Sequence, residues 1–425
     1  MRSSPCSRQI AQSVAQRLDL AIQPEQQAKA RTPRQQVRLF LLRLIPSAAK
    51  PPSRPSHPSP QSILLIRPDH LGDLLFTTPA VRLLREAFPQ ARITYLVGPW
   101  SKAVIENNPH VDEIALCPFP GFTRQEKRSA LEPYVTLLQH AIQLRREGFD
   151  LAIVLRFDHW WGALLAYLAG IPRRVGYDVA EVRPFLTDVV PYSPGGHEVE
   201  QDLTLVERVT GNKLRVTRTL LEFNLTAEDE GFAEGYLAGH GVGDGDLLIC
   251  IHPGAGALVK LWRNEGWAQA ADALARRYGA KIILTGSAEE APLCRAIAEQ
   301  MTTKPIVAAG ETSLGGLAAI MARCRLVLGV DSGPLHLAVA LGIPTVHLFG
   351  PVDSRAFGPW GDPAHHIVVT SDNSRMDCIP CNRLDYAPAE LHQHPCVRNI
   401  TVEQVLEAVE RLNITTNQED EPNPT

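Results

Sequence analysis

Residues 326–361, LVLGVDSGPLHLAVALGIPTVHLFGPVDSRAFGPWG, hold side chains that could bind an anion directly after an apolar run. Residues 326–330 form a β-type run, and the pattern predicts a helix after them. In a parallel sheet the turn between the two lies at the carboxyl edge, where helix amides favour an anionic ligand. The alternative is that Asp331 or Ser332 only caps the helix, with Pro334 in its first turn. As a ligand site the turn offers Asp331, Ser332, Gly333 and His336.

Residues 63–81, ILLIRPDHLGDLLFTTPAV, contain a second candidate site. An apolar strand leads into a loop with Gly72, and a helix starts near Asp73. The loop offers the carboxylate of Asp73, with Arg67 and His70 close to it in the sequence. The glycine spacing fits neither a dinucleotide fingerprint nor a Walker loop. A carboxylate that only stabilises the helix start through the helix dipole is the alternative for Asp73.

The rest of the sequence alternates between strand and helix signals, which must position these two loops. In the first half, β-type runs occupy residues 92–97, 113–118 and 151–155, and helical patterns occupy residues 131–146 and 160–168. In the second half, β-type runs occupy residues 247–251, 281–285, 305–307, 326–330 and 345–349. This alternation predicts an α/β fold with two doubly wound Rossmann-like domains facing a central cleft. We place the first domain at residues 61–235 and the second at residues 236–412.

Three ordered segments resemble the motifs of glycosyltransferase family 9, the lipopolysaccharide heptosyltransferases and their relatives. Residues 72–79, GDLLFTTP, are similar to the amino-terminal signature of that family, and residues 330–336, VDSGPLH, are similar to its carboxyl-terminal signature. Between them, residues 252–256, HPGAG, with Lys260 and Trp262, are similar to its phosphate-contacting loop. The resemblance covers about residues 61 to 412, and three motifs in order are more specific than any one of them.

The resemblance implies the GT-B fold, in which the last helix, at residues 402–412, crosses back to the first domain. It implies that Asp73 is the catalytic base and that Lys260 contacts the phosphates of the donor. Glu289 or Glu290 would hold the nucleoside ribose, with plain surface charge as the alternative. The implied donor-binding residues are His252, Gly254, Gly256, Lys260, Glu289, Glu290, Asp331, Ser332, Gly333 and His336.

The implied activity is transfer of a sugar, heptose from ADP-heptose, to a lipopolysaccharide core or related glycan acceptor by an inverting mechanism. The partners are then the nucleotide-sugar and a lipid-linked saccharide, and no metal or other cofactor is expected. The phosphate loop, residues 254–260, lacks the hydroxyl side chains common in the family, and Arg263 stands where a proline is common, so the particular sugar stays open. Two other classes remain: a nucleotide-sugar epimerase or hydrolase of GT-B fold, and a non-catalytic sugar-nucleotide-binding module.

The acceptor is expected to lie against the first domain. Residues after the run at 151–155 carry charged and aromatic side chains that can contact sugar hydroxyls and anionic groups. Core packing of Trp160, Trp161 or both is the alternative for the aromatic pair. The predicted acceptor-binding residues are Arg67, His70, Arg156 and His159.

Length and composition are compatible with a two-domain protein. The chain has 425 residues, of which 44% are hydrophobic, enough for two sizeable cores. No apolar stretch approaches the ~20 residues that span a bilayer, and the amino terminus lacks a signal pattern. We therefore expect a cytoplasmic protein. Eight cysteines are too few for a disulfide scaffold, so no redox function is implied.

Charge is concentrated at the amino terminus. Residues 1–60 contain ten Lys or Arg and two Asp or Glu, which gives +8, while the whole chain carries −4. A basic amphipathic stretch at residues 37–45 can lie on an anionic membrane, which predicts peripheral contact of residues 1–50 with the inner face of the plasma membrane. The alternative is a poorly ordered leader or a helix packed on the body. Residues 46–60 read as an unfolded linker and residues 413–425 as a disordered tail, and no nucleic-acid partner is expected.

Metal binding is not expected in the cleft. The one Asp-x-Asp, residues 244–246, lies in a glycine-rich segment and is interpreted as a turn. Cys378 and Cys381, with Cys396, are the better candidate, because thiolates at the C-x-x-C spacing suit zinc. The spacing to a fourth ligand is irregular, and a similar cysteine cluster occurs in many members of the family. We interpret the cluster as a local structural element, with zinc binding as the alternative.

Overall fold

The computed structural model describes residues 39–40, 42–45, 59–123, 129, 131–211, 220–371 and 379–414. The chain divides into two compact units, Met1–Lys50 and Pro51–Thr425. In the first unit the described residues are helical. The expected membrane contact, linker and tail fall largely on residues 1–58 and 415–425, most or all of which lie outside the described residues. They stay predictions.

The first half of the second unit is built on a six-stranded parallel sheet with the order β3-β2-β1-β4-β5-β6. Its central strands are buried along almost their whole length, as the apolar run of residues 63–66 requires. The chain therefore enters at the middle of the sheet and winds outward to both edges. The strands are β1 (Ser62–Arg67), β2 (Arg92–Val97), β3 (Glu113–Leu116), β4 (Leu151–Val154), β5 (Arg173–Tyr177) and β6 (Asp188–Val190).

The second half repeats this architecture with the order β12-β11-β10-β7-β8-β9, again all parallel. Three of its strands, β7, β10 and β11, are buried at every position. The strands are β7 (Leu248–His252), β8 (Lys281–Leu284), β9 (Ile306–Val307), β10 (Leu326–Val330), β11 (Thr345–Phe349) and β12 (His366–Thr370). Two doubly wound Rossmann-like domains are thus confirmed.

Helices connect the strands, and we number them from the first one after β1. Those of the first sheet are α1 (Leu71–Phe76), α2 (Thr78–Ala87), α3 (Lys102–Ile105), α4 (Glu132–Glu147), α5 (Trp160–Leu168) and α6 (Glu198–Thr210). Those that follow are α7 (Ala227–Gly239), α8 (Asn264–Tyr278), α9 (Ala291–Ala298), α10 (Leu314–Ala322), α11 (Gly333–Ala340), α12 (Ser354–Phe357) and α13 (Val402–Arg411). Short 3-10 turns complete the loops.

The two sheets share one hydrophobic core across a seam where α1 packs on α11. Two glycines permit this close approach. A Cβ on Gly333 would lie 2.8 Å from Leu71 Cδ2, and a Cβ on Gly72 would lie 3.1 Å from His336 Cδ2. Because α1 follows β1 and α11 follows β10, the carboxyl ends of the two sheets face each other at this seam.

The change from the first domain to the second comes before the predicted boundary at residue 235. Helix α7 packs against α10 of the second domain, so a boundary at residue 235 would divide one helix. A capping box sets the start of α7: Thr226 Oγ1 accepts the Asp229 N–H at 3.2 Å, and Asp229 accepts the Thr226 N–H at 3.0 Å. Leu220 and Glu222 still contact α2 of the first domain, so the chain passes to the second domain between Glu222 and Thr226.

The last helix, α13, packs on its own domain. Its main contacts are with α8, β11 and β12, and its buried residues Val405, Ala408 and Val409 belong to the core on the outer face of the second sheet. The expectation that this helix crosses back to the first domain stays a prediction.

No helix among the residues that the structure describes has the length and apolar character needed to cross a bilayer.

Candidate active site

Asp73 lies in the first turn of α1, half-buried beyond the carboxyl end of β1. Removal from water raises the pKa of Asp73 to about 7, and the charge of Asp69 adds to this rise while Arg67 and Arg156 oppose it. Among the described residues, none forms a hydrogen bond or ion pair with the Asp73 side chain. The carboxyl is thus a stronger base than an ordinary aspartate and is available to a ligand.

A buried charge cluster stands behind Asp73. The guanidinium of Arg67 is 1% exposed and joins three carboxylates. Its Nε lies 2.7 Å from Asp69 Oδ2, its Nη2 lies 3.1 Å from Glu198 Oε2, and its Nη1 lies 3.4 Å from Asp202 Oδ1. Burial raises the pKa of Asp202 well above its usual range, and Arg67 offsets this only in part. We use the name acceptor-side cluster for Arg67, Asp69, Glu198 and Asp202.

Arg156 and His159, which follow β4, take different positions. Arg156 pairs with Asp69 and, at 2.6 Å, with Asp158, and its side chain remains 28% exposed. His159 is 4% exposed and packs edge-on against Phe119, with ring centroids 5.2 Å apart. Burial lowers the pKa of His159 to about 3, so the ring is neutral at physiological pH. Of the two, only Arg156 is open to solvent.

On the second domain, Lys260 reaches the turn that follows β10. Its Nζ lies 2.7 Å from Asp331 Oδ2, and His336 Nε2 lies 3.8 Å from Asp331 Oδ1. Burial alone would raise the pKa of Asp331, but His336 and the Lys260 ammonium hold it below its usual range. Ser332 precedes α11 without capping it through its side chain, so the structure does not support the capping alternative for this residue. Lys260 and Asp331 form what we term the donor-side pair.

His252 and Glu290 lie next to the donor-side pair, on the neighbouring strand and loop. His252 ends β7, and its Nδ1 is 3.1 Å from Thr285 Oγ1. Burial lowers the pKa of His252, although the Glu290 carboxylate 3.9 Å away opposes the shift. His252 is therefore a neutral polar group at the sheet edge.

The structure distinguishes Glu290 from Glu289 by its position against the phosphate loop. Glu290 accepts the Ser287 N–H at 2.8 Å, and its carboxylate lies so close to Gly254 that an added Cβ there would overlap it. Gly254 is buried beneath this contact, whereas Gly256 is exposed. Glu289 is exposed. Glu290 is the glutamate that the fold brings to the loop.

A second contact crosses the seam at His197. Its Nε2 lies 3.0 Å from the Gly358 carbonyl, and its ring packs near Trp360 and Phe76, with centroids 4.7 and 5.2 Å away. Burial lowers the pKa of His197 to about 4, so its Nε2–H donates as a neutral imidazole. Because His197 caps α6, the helix that carries Glu198, this contact ties the acceptor-side cluster to the second domain.

Several residues that were predicted to contact a ligand are instead part of the packed fold. Arg67 and His159 are buried, so neither touches a ligand in this conformation. The indole N–H of Trp161 donates to the Pro133 carbonyl at 3.4 Å. Trp161 therefore packs in the core, which was the alternative to an acceptor contact. Arg263 precedes α8 and donates to the Ile400 carbonyl at 3.3 Å, so it begins the helix.

Three carboxylates near Asp73 were missed by the sequence analysis. Asp69 follows β1 directly, while Glu198 and Asp202 stand one turn apart at the start of α6. The only sequence signal was the four-residue spacing of Glu198 and Asp202, which places both side chains on one face of a helix. Their partner lies 131 and 135 residues away in the sequence, which no local pattern reveals.

The cysteine cluster is only partly described. Cys378 lies outside the described residues; Cys381 is exposed and Cys396 is buried. Within residues 59–371 and 379–414, apart from the gaps named above, no three His, Cys, Asp or Glu side chains form a metal-holding group. In the predicted turn, Asp246 accepts the Gly243 N–H at 2.7 Å and pairs with Lys281.

The arrangement brings a basic carboxylate and a cation to facing sheet edges. A carboxyl with a pKa near 7 can take a proton from a hydroxyl, and an ammonium at a helix start can stabilise a departing phosphate. These are the two tasks in moving a group from a phosphate ester to a hydroxyl.

The fold and the matches to known proteins make this chain a glycosyltransferase. A family model described as glycosyltransferase family 9 (heptosyltransferase) matches residues 137–384, more than half of the chain. The chain belongs to this family.

Relatives and solved structures agree. The chain is 28% identical over 300 residues to lipopolysaccharide heptosyltransferase 3 of Escherichia coli, covering 68% of this chain and 84% of the relative. A solved family 9 glycosyltransferase from Veillonella parvula has a TM-score of 0.71 and 28% identity, covering 85% of this chain and 99% of its own. The structure of E. coli ADP-heptose lps heptosyltransferase II has a TM-score of 0.65 and 23% identity, and the match covers 83% of this chain and 98% of that one. The GT-B fold is thereby confirmed.

Proposed function

We propose that this enzyme transfers heptose from ADP-heptose to a lipopolysaccharide core or related glycan acceptor, with inversion at the transferred carbon. The names of its relatives support the acceptor class, since the E. coli relative is a lipopolysaccharide heptosyltransferase. The E. coli structure of the same fold is titled as an ADP-heptose enzyme, which supports the donor. The comparisons do not favour an epimerase, a hydrolase or a non-catalytic module.

The observation that carries the proposal is the placement of Asp73 across the seam from the donor-side pair. Asp73 takes the proton of the acceptor hydroxyl, whose oxygen bonds to the anomeric carbon of the sugar. The bond from that carbon to the diphosphate oxygen breaks, and ADP leaves with the bonding electrons. Because one oxygen replaces the other in a single displacement, the configuration inverts. The raised pKa of Asp73 makes it a better base for this step.

Lys260 is proposed to stabilise the departing diphosphate. Its ammonium is balanced by the single carboxylate of Asp331, so a phosphate can share or replace that partner. The start of α11 adds amide dipoles, although Pro334 itself has no N–H to give. With this positive charge in place we propose that the reaction needs no metal cofactor.

Other contacts follow from position. Glu290, packed on the phosphate loop, is proposed to accept hydrogen bonds from the ribose hydroxyls. Arg156 and His70, at the exposed rim of the first domain, are proposed to contact the acceptor. We also propose that the enzyme works in the cytoplasm at the inner face of the plasma membrane, where such an acceptor is held.

The first test is nucleoside diphosphate release from ADP-, GDP- and UDP-sugars, with and without a deacylated lipopolysaccharide core acceptor. The proposal expects release from ADP-heptose that depends on the acceptor and is lost in Asp73→Ala, together with a product of opposite anomeric configuration by NMR. Release without acceptor, or unchanged release by Asp73→Ala, would favour a hydrolase or an epimerase instead.

A further inference from the structure

Helix α4 presents an apolar face to solvent. Its inner side is buried through Leu137, Ala141 and Leu144. Its outer side carries five large apolar residues that are each between 51% and 69% exposed: Leu131, Tyr134, Val135, Leu138 and Ile142. Scattered exposed apolar residues are normal on a soluble protein, but five on one helix are a contiguous patch that marks an interaction surface. We call these five residues the α4 face.

The charge on this side of the helix is positive. At 100° per residue, Arg145 and Arg146 project within about 60° of Leu131, which lies at the centre of the α4 face, whereas Glu147 projects about 160° away. Both arginines are exposed in the last turn of α4. The exposed residues between positions 131 and 147 include no acidic side chain. The apolar stripe therefore ends in two cations.

The α4 face lies on the acceptor side of the enzyme. Helix α4 packs on α5, and Trp161 of α5 donates to the Pro133 carbonyl at 3.4 Å. The loop that leads into α5 carries Arg156, which pairs with Asp69 of the acceptor-side cluster. The amino-terminal end of the α4 face is thus connected, through one helix and one loop, to the residues around Asp73.

We propose that the α4 face docks on the surface of an anionic phospholipid bilayer, with its apolar side chains at the level of the headgroups and its two arginines against lipid phosphates. This inference rests on the proposed function, because a lipid-linked acceptor is held in such a bilayer. It places the membrane contact on the catalytic unit itself. A helix with one apolar side and a basic flank is the form that lies in a membrane interface.

A bilayer fits this surface better than a second copy of the chain. In a two-fold pairing of antiparallel α4 helices, the Arg145 and Arg146 end of each copy would meet the Leu131 and Tyr134 end of the other. That pairing would bury cations against apolar side chains, with no exposed acid on the face to receive them. An anionic bilayer supplies both the apolar depth and the negative charge.

The test is co-sedimentation of the full chain with vesicles of phosphatidylcholine alone and of phosphatidylcholine with phosphatidylglycerol. The native chain is expected to bind the anionic vesicles, and less so as salt is raised. In Val135→Ser/Leu138→Ser/Ile142→Ser, binding should fall by about tenfold or more. In Arg145→Gln/Arg146→Gln, binding to the anionic vesicles should fall by about tenfold, and its salt dependence should shrink.

Each variant has a matched control. Leu220→Ser/Leu384→Ser removes two exposed apolar side chains elsewhere, and Arg276→Gln/Arg277→Gln removes the two arginines in the last turn of α8. Both should bind vesicles as the native chain does. The arginine variant changes only exposed side chains, so it keeps the test valid even if the serine variant folds poorly.

Three outcomes overturn the proposal. The first is a native chain that binds no vesicle. The second is binding that the α4 variants leave unchanged, which would assign membrane contact to another part of the chain. The third is a native dimer that the serine variant converts to a monomer, which would make the face an interface between copies.

A soluble deacylated acceptor separates this proposal from the proposed function. Turnover of that acceptor should be the same in the native chain and the α4 variants, while turnover of a vesicle-embedded acceptor should fall about tenfold in the variants. If no heptose is transferred to the soluble acceptor, the proposed function fails and vesicle binding still decides the docking surface. If the soluble acceptor is used and vesicle binding does not depend on the α4 face, only the docking proposal fails.

Discussion

The sheet edges that meet at the seam carry different arrangements of charge. On the first domain, the acceptor-side cluster packs three carboxyl groups around one buried guanidinium, and two of these groups, Asp69 and Glu198, help to raise the pKa of Asp73. On the second domain, the donor-side pair sets one ammonium against one carboxylate, with neutral His252 beside it. One edge is prepared to accept a proton and the other to accept an anion.

The comparison teaches that the same βα architecture does not fix the chemistry of its edge. In both domains a strand ends, a short turn follows, and a helix begins with its amides toward the cleft. The difference comes from the charges packed behind the turn, which are contributed by α6 on one side and by the loop before α8 on the other. The predictions below alter one edge at a time.

The largest effect is expected from Asp73→Ala. Without the carboxylate the acceptor hydroxyl keeps its proton in the transition state, so kcat/KM should fall about 10³-fold. Acceptor-dependent ADP release measures this. Asp178→Ala, which removes an exposed carboxylate of the same domain, should change the rate by less than about threefold. Retention of more than a tenth of the native rate by Asp73→Ala would exclude it as the base.

Arg67→Met should destabilise the fold by about 3 kcal/mol or more, because it leaves Asp69 and Glu198 buried without their cation. Urea unfolding at pH 7 measures the free energy. Asp202→Asn should cost less than about 1 kcal/mol, since burial raises the pKa of Asp202 well above its usual range and so disfavours the charged form that the substitution removes. Equal losses in the two variants would show that Asp202 is ionised.

Lys260→Met tests the donor edge. Loss of the ammonium that faces the diphosphate should lower kcat about 10²-fold, and the free energy of unfolding should fall by about 1–3 kcal/mol, because the buried Asp331 loses its cation. Steady-state ADP release and urea unfolding together separate the two effects. Lys281→Met, on the far side of the same domain, is the control and should leave kcat as it is. An unaffected kcat in Lys260→Met would argue against a role in leaving-group departure.

The two glutamates form a matched pair. Glu290→Gln should raise the KM for the donor about tenfold, because one charge-assisted hydrogen bond to the ribose is weakened. Glu289→Gln should keep the KM within about twofold of native, because this side chain is exposed. The reverse order of effects would move the ribose site to Glu289.

The smallest effect is a gain in stability at high pH. The pKa of Asp73 rises from about 4 in the unfolded chain to about 7 in the folded one, so the folded state binds more protons between these values and stability falls as pH rises through that window. Asp73→Asn removes this loss and should unfold several °C higher than native at pH 8, with no difference at pH 4. Thermal scans at both values measure it. In the native enzyme, activity should fall as pH drops below about 7.

The fold was predictable where strands are buried on both faces. Runs at residues 63–66, 326–330 and 345–349 are continuous apolar segments, and the structure places β1, β10 and β11 there. The sequence analysis missed β5, β6 and β12. Strand β5 opens with Arg173 and Arg174, β6 has only three residues, and β12 starts at a histidine. Edge or short strands carry little apolar signal, so only pairing with a neighbour identifies them.

The sequence predicted the two loops of the candidate site but not the buried charge cluster behind Asp73. The loops that hold Asp73 and Asp331 follow apolar strands in the sequence, and the fold brings them to the seam. Arg67, at the end of β1, looked like a solvent-exposed ligand contact. Its burial depends on Glu198 and Asp202 of α6, which no pattern near residue 67 predicts.

The sequence by itself determined the order of the buried strands, the family, and the two loops that can do chemistry, because each of these is written in local periodicity and short motifs. The tertiary structure alone decided that the pKa of Asp73 is raised to about 7, that Glu290 packs on the phosphate loop, and that the main contacts of α13 lie within the second domain. Burial and Coulomb interactions depend on distances between residues far apart in the chain, and only the packed fold sets those distances.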